Sequence, residues 1–113
     1  MRPLLFLIAL CLALVLGTNR SFAGSSSNGA KVFASNCVYC HAGGDNTMVP
    51  ERSLMKSALE SYLKNYTSAG ESAVRYQVTY GSGAMFPFGG KLSEKEIDDV
   101  AAYVVEQAEN DWN

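Results

Sequence analysis

The chain has 113 residues, 48 % of them hydrophobic, and a formal net charge of −2 at pH 7. This length allows one domain at most. Without Arg2 and Arg20, which lie in the N-terminal leader described next, seven Lys and Arg residues face eleven Asp and Glu residues, a net charge of about −4. An acidic domain of this kind argues against binding to nucleic acid phosphates or to anionic membrane surfaces.

The N-terminus has the layout of a secretory signal peptide. Arg2 precedes an apolar run over residues 3–16, and small residues follow in the stretch Ser21-Phe22-Ala23. The alternative is a membrane anchor, but the run is shorter than the roughly 20 apolar residues that span a bilayer. We therefore predict a signal peptide over residues 1–23 and an exported domain over residues 24–113 with no stable membrane insertion after cleavage.

The exported part predicts a small all-α domain. Apolar residues recur at helical spacing in four segments, at about residues 28–40, 53–64, 72–80 and from Ser93 onward. The last segment opens with Ser93-Glu94-Lys95-Glu96, a capping box that marks a helix start. Two connections lack helical periodicity and are rich in Gly and Pro, namely AGGDNTMVPER and GSGAMFPFGG.

The chemistry of the domain is concentrated in Cys37, Cys40 and His41, the only thiols and imidazole outside the leader. A structural zinc site needs four ligands, and no second ligand pair follows. A thioredoxin-type redox dithiol expects a βαβ setting that is absent from the pattern, and a plain disulfide is disfavoured because Cys-x-x-Cys loops are tight and usually catalytic. The remaining interpretation is the attachment site of a c-type haem, in which two thiols one helical turn apart hold the porphyrin and the histidine binds iron.

The second axial ligand is predicted to be a methionine, because the chain has no second histidine. Met48 follows His41 too closely to reach the opposite face. Met55 fits the apolar stripe of the second helical segment and is expected to pack in the core. Met85 lies in the Gly- and Pro-rich loop and is the preferred candidate. Coordination by His and Met favours ferrous iron and raises the reduction potential, which indicates one-electron transfer rather than catalysis.

Four stretches of the exported chain resemble cytochrome c6, a class I cytochrome c of cyanobacterial and algal photosynthesis: GAKVFASNCVYCHAGG, MVPERSLMKSALESY, YQVTYGSGAMFPFGGKLS and EIDDVAAYVVEQAENDW. The resemblance covers about residues 29–112. It implies about four helices around one covalently attached haem c. By this likeness Cys37 and Cys40 hold the haem, and His41 and Met85 are its axial ligands.

The resemblance also implies roles for residues around the ring. Gly29 and Phe33 are expected to pack the first helix across Tyr103 of the last one. Gln77 resembles a glutamine that lies beside the haem in this family and is thought to raise its potential. Two positions depart from the usual pattern and indicate a divergent paralogue: Phe86 separates the methionine from Pro87, and Lys91 stands where the family usually has Arg.

The implied function is that of a diffusible, monomeric electron carrier that is not an enzyme. The implied donor is the cytochrome b6f complex and the implied acceptor is photosystem I, with a terminal oxidase as another possible acceptor. The implied location is the thylakoid lumen, or a periplasm for a respiratory carrier. A haem-based sensor or small peroxidase with an open iron site is the alternative from a different functional class.

Overall fold

A computed structural model of the chain describes residues 24–113, so the predicted signal peptide lies outside the described residues. The described part confirms the all-α prediction, because residues 24–113 contain isolated bridges but no β-strand. None of the helices described there is long and apolar enough to span a bilayer. Within residues 24–113, six α-helices follow one another: α1 Ser26–Asn36, α2 Val38–His41, α3 Lys56–Tyr62, α4 Tyr66–Ala69, α5 Glu71–Tyr80 and α6 Glu94–Glu109.

The two longest helices begin with side-chain caps. The Ser25 hydroxyl accepts a hydrogen bond from the Asn28 backbone N–H at 3.3 Å and so caps α1. At the start of α6 the predicted capping box is confirmed. Ser93 Oγ accepts from the Glu96 N–H at 3.1 Å, and Glu96 Oε1 accepts from the Ser93 N–H at 3.0 Å.

The core is built around α6, against which both α1 and α5 pack. Its inward face repeats small and branched apolar residues at three- and four-residue spacing, the pattern of a helix with one buried side. This face meets apolar side chains from α1, α3, α4 and α5. The buried apolar residues are Val32, Phe33, Leu59, Tyr66, Ala73, Val74, Val78, Ile97, Val100, Ala101, Val104 and Ala108.

Helices α1 and α6 cross in direct backbone contact at Gly29. A Cβ atom on Gly29 would overlap the Asp99 carbonyl oxygen and lie 2.7 Å from Tyr103 Cβ. One turn later, the ring of Phe33 packs against that of Tyr103 with a centroid distance of 5.2 Å. The predicted packing of the first helix across Tyr103 is therefore confirmed, and this packing fixes the position at which α1 ends.

The C-terminal tryptophan attaches the loop after α2 to this helix pair. The ring of Trp112 lies 5.3 Å from that of Phe33, and its Nε1–H donates to the Leu54 carbonyl at 2.9 Å. Gly44 packs on the same ring so closely that an added Cβ would lie 2.6 Å from it. Both ends of the loop thus rest on Trp112.

Two helix predictions were wrong in detail. The segment predicted over residues 28–40 is interrupted at Cys37. Just before it, the side-chain Nδ2 of Asn36 donates to the Val32 carbonyl at 2.9 Å and competes with the backbone hydrogen bonds of the helix. Helix α4 was missed, since it has only four residues between Asn65 and Gly70, both at positive φ. Four helices of seven or more residues remain, as the sequence predicted.

Replacement of Gly29 by Ala tests the crossing. Helix propensity alone would favour Ala by about 1 kcal/mol. We expect instead a loss of about 2 kcal/mol in the free energy of unfolding, because the new methyl group must push α1 away from α6. Denaturant unfolding of the haem-loaded protein measures this. Ser35→Ala, at an exposed position of the same helix, is the control and should change stability little. A more stable Gly29→Ala protein would contradict the crossing.

Candidate functional site

A cavity of about 570 Å³ opens beside the core. Its wall contains all five residues that the sequence assigned to a cofactor, namely Cys37, Cys40, His41, Gln77 and Met85. The rest of the wall is largely apolar and is shared with the hydrophobic core. The buried residues that border the cavity are Phe33, Leu59, Val74, Val78, Val100 and Val104. A cavity of this size and lining is typical of a cofactor site.

The two cysteines lie on one helical turn. Cys37 is the residue between α1 and α2, and its carbonyl accepts hydrogen bonds from the Cys40 N–H at 3.2 Å and the His41 N–H at 2.9 Å. Both side chains are partly buried free thiols. Burial raises the pKa of the Cys37 thiol to about 11, so this thiol is neutral at physiological pH.

The imidazole of His41 is held in one tautomer. Its Nδ1 lies 2.8 Å from the Asp45 carbonyl oxygen. A carbonyl only accepts hydrogen bonds, so Nδ1 must carry the proton and donate it. The Nε2 atom is then left with a free lone pair, the form in which histidine binds a metal. The hydrogen bond also fixes the plane of the ring.

Asn46 supports the loop that supplies this carbonyl. Its Oδ1 accepts hydrogen bonds from the backbone N–H groups of Met48 at 3.1 Å and Val49 at 2.9 Å, and its Nδ2 donates to the Arg52 carbonyl at 2.9 Å. Asn46 was not predicted as a site residue from the sequence. The signal was present in Asp-Asn-Thr after two glycines, because Asn in such a stretch commonly closes a turn with its side chain.

Met85 is presented by a tight turn after α5. Its N–H donates to the Ser82 carbonyl at 2.9 Å, and its carbonyl accepts from the Ser82 N–H at 3.1 Å. Gly81 has φ = 68°, and a Cβ there would lie 2.5 Å from the Met85 carbonyl oxygen. Only glycine therefore lets the chain fold back and bring Met85 to the cavity wall.

The other two methionines of the described chain are placed differently. Met48 borders the cavity but is 66 % exposed. Met55 is the N-cap residue of α3 and is neither on the cavity wall nor in the core cluster, so its predicted core role was wrong. Met85 is partly buried against the core.

Gln77 reaches the methionine sulfur from α5. Its Nε2 lies 4.0 Å from Met85 Sδ, within the range of a weak N–H···S hydrogen bond. The two positions that depart from the family pattern also face each other. Phe86 is 71 % exposed, and the Lys91 ammonium lies 5.8 Å from the centre of its ring, a cation–π contact.

These donors fit a c-type haem. Two thiols one turn apart, a bare imidazole nitrogen and a thioether border one largely apolar cavity. Imidazole and thioether are the pair of ligands that cytochromes c use for iron. The apolar wall suits a porphyrin, which is a flat and mainly apolar group.

Comparison with known proteins agrees with this chemistry. The protein-family model described as "Cytochrome C oxidase, cbb3-type, subunit III" matches residues 24–104. The chain is 52 % identical over 89 residues to cytochrome c6 of Limnospira maxima. The aligned region covers 79 % of this chain and all of the relative. It is 50 % identical over 93 residues to cytochrome c6 of Picosynechococcus, with 80 % of each protein covered.

A solved structure gives the same result. Cytochrome c6 of the diatom Phaeodactylum tricornutum superposes with a TM-score of 0.74 at 46 % sequence identity, over 79 % of this chain and 100 % of that one. The fold is therefore that of a class I cytochrome c, and the family carries electrons with haem c. On its sequence, its fold and its relatives together, the chain belongs to the cytochrome c6 family.

Proposed function

We propose that the mature chain is a one-electron carrier with one haem c covalently attached through Cys37 and Cys40. The observation that supports this most is the meeting of both thiols, His41, Met85 and Gln77 on the wall of one cavity. These residues come from the junction of α1 and α2, from α2, from α5 and from a loop, so their meeting is a property of the fold. When bound, the haem supplies a reversible one-electron change at iron.

Each residue has a distinct task in this proposal. The two cysteines hold the group to the chain, so that it is not lost after export. His41 offers Nε2 to iron because its Nδ1 proton is engaged by the Asp45 carbonyl. Met85 offers its thioether from the turn that Gly81 permits. If His41 and Met85 both bound the iron, the chain itself would occupy the places where a substrate could bind, so we propose a carrier and not an enzyme.

The proposed circuit is that of the photosynthetic relatives. We propose that signal peptide cleavage releases residues 24–113 as a monomer into the thylakoid lumen, without membrane insertion. The cytochrome b6f complex is the proposed donor and photosystem I the proposed acceptor. The net charge of about −4 on residues 24–113 suits brief, salt-sensitive docking on a basic surface.

A respiratory circuit is the second candidate. It is favoured by one observation, the match of residues 24–104 to a family model described as a subunit of a cytochrome c oxidase. In this version the same carrier donates to a terminal oxidase from the lumen or periplasm. The residues around the haem keep the same tasks, and only the acceptor differs.

The axial role of Met85 is tested by replacement with Ala. We expect the weak far-red absorption band of ferric iron–thioether ligation to disappear, and the ferrous protein to gain carbon monoxide binding that the native protein lacks. Met48→Ala is the matched control, because Met48 borders the same cavity. It should keep the band and exclude carbon monoxide. Binding of carbon monoxide by the native protein would instead support the sensor or peroxidase alternative.

The effect of Gln77 on the potential is tested by Gln77→Val. The Gln77 amide N–H points its positive end toward the Met85 sulfur and disfavours the additional charge of ferric iron. Its removal should lower the reduction potential measured by potentiometric titration, with the far-red band retained. Thr79→Val, whose hydroxyl bonds the Arg75 carbonyl on the same helix, is the control. An unchanged or raised potential in Gln77→Val would remove the tuning role.

The circuit itself is tested by flash photolysis. The reduced mature protein should re-reduce oxidised photosystem I, at a rate that rises with protein concentration and falls as salt screens the acidic surface. Purified terminal oxidase, tested in parallel, should accept electrons more slowly. If the oxidase is reduced rapidly while photosystem I shows only the rate of the chemical reductant alone, the photosynthetic assignment is wrong and the respiratory one stands.

A further inference from the structure

The first described residues lie on the backbone of α6. The Ser25 N–H donates to Asp99 Oδ1 at 2.7 Å, and the nitrogen of Gly24 lies 3.2 Å from Glu71 Oε1 at the start of α5. A Cβ atom on Gly24 would overlap the Asp98 carbonyl and lie 2.5 Å from the Asp99 nitrogen. Residue 24 therefore occupies a seat that accommodates glycine alone, with its nitrogen directed at a carboxylate.

The charges around this seat are unbalanced. Asp98 pairs with Arg75 at 3.0 Å, and the buried Asp99 pairs with Lys95 at 2.7 Å. Glu71 forms no ion pair with any residue in the part of the chain that the structure describes. Glu71 thus places an uncompensated negative charge beside the Gly24 nitrogen, whereas Asp98 and Asp99 each have a cation as partner.

We propose that this seat is a binding site for the chain's own N-terminal ammonium, which signal peptide cleavage creates on Gly24. Hydrolysis of the Ala23–Gly24 bond consumes one water and leaves a carboxylate on Ala23 and an amine on Gly24, which takes up a proton. A single neutral amide N–H facing Glu71 thereby becomes a cation with three N–H groups. Glu71 then gains an ion-pair partner, so cleavage of the signal peptide stabilises the folded chain.

The inference goes beyond electron transfer and rests on cleavage after Ala23. It explains why glycine follows the cleavage site, because a side chain there would collide with α6. The contact is partly buried at the protein surface, and a surface ion pair changes a folding equilibrium about two- to fivefold. The pKa of the amine should therefore lie about 0.3 to 0.7 above its value without Glu71.

The raised pKa of the Gly24 amine makes the stability of the folded protein depend on pH. An amine whose folded pKa is raised adds its full stabilisation below the unfolded value of about 8, and the effect is lost as the pH rises through the folded pKa. The other charged groups near the seat, on α5 and α6, are Arg75, Lys95, Asp98 and Asp99.

The experiment is an NMR titration of the Gly24 amine in the mature, haem-loaded, ferrous protein. Glycine labelled with ¹³C and ¹⁵N reports its pKa between about pH 6 and 10. Glu71→Gln keeps the shape and an acceptor oxygen but removes the charge, and it should lower the amine pKa by about 0.3 to 0.7. Glu106→Gln, a carboxylate change elsewhere on α6 (Glu94–Glu109), is the matched control and should leave the pKa unchanged.

An N-terminally acetylated sample supplies a second readout. Its folding equilibrium constant should be about two- to fivefold smaller than that of the free amine at neutral pH and equal to it near pH 10. An amine pKa that is the same in the native and Glu71→Gln proteins would overturn the proposal. A mature chain whose mass places its first residue elsewhere than Gly24 would also overturn it. Neither outcome bears on the redox role of the haem.

Discussion

The contact between α1 and α6 at Gly29 determines where the turn that carries Cys37, Cys40 and His41 lies. Because the two backbones touch there, the C-terminal end of α1 has a fixed position relative to α6. The turn from Cys37 to His41 starts from that point. Trp112, at the far end of α6, then anchors the loop that returns from His41. The ligand turn is thus attached to the scaffold on both sides.

The cavity and the hydrophobic core share one set of side chains. Val74, Val78, Val100 and Val104 are buried among themselves on one side and border the cavity on the other. A domain the size of residues 24–113 has little apolar surface to bury, and domains this small commonly need a cofactor or a cross-link to be stable. In the proposed function the attached ring completes this core, and the same group that carries the electron also holds the helices together.

Sequence patterns predicted the parts of the molecule that depend on neighbours along the chain. The capping box at Ser93 and the turn that joins Cys37 to His41 are local, and the types of their residues indicate their geometry. The tautomer of His41 could not be predicted, because it depends on a carbonyl that Asn46 holds in place through three hydrogen bonds. Helix α4 (Tyr66–Ala69) could not be predicted for a different reason, because four residues are too few to show the helical periodicity of apolar residues.

The central claim is that a haem is covalently bound to Cys37 and Cys40 in the cavity beside α6, and the intact mass of the exported protein tests it most directly. The mass should equal that of residues 24–113 plus one haem, and it should survive denaturation in acid, which releases a haem held only by axial ligands. A protein of the same length whose denatured mass is that of the bare polypeptide would contradict the claim.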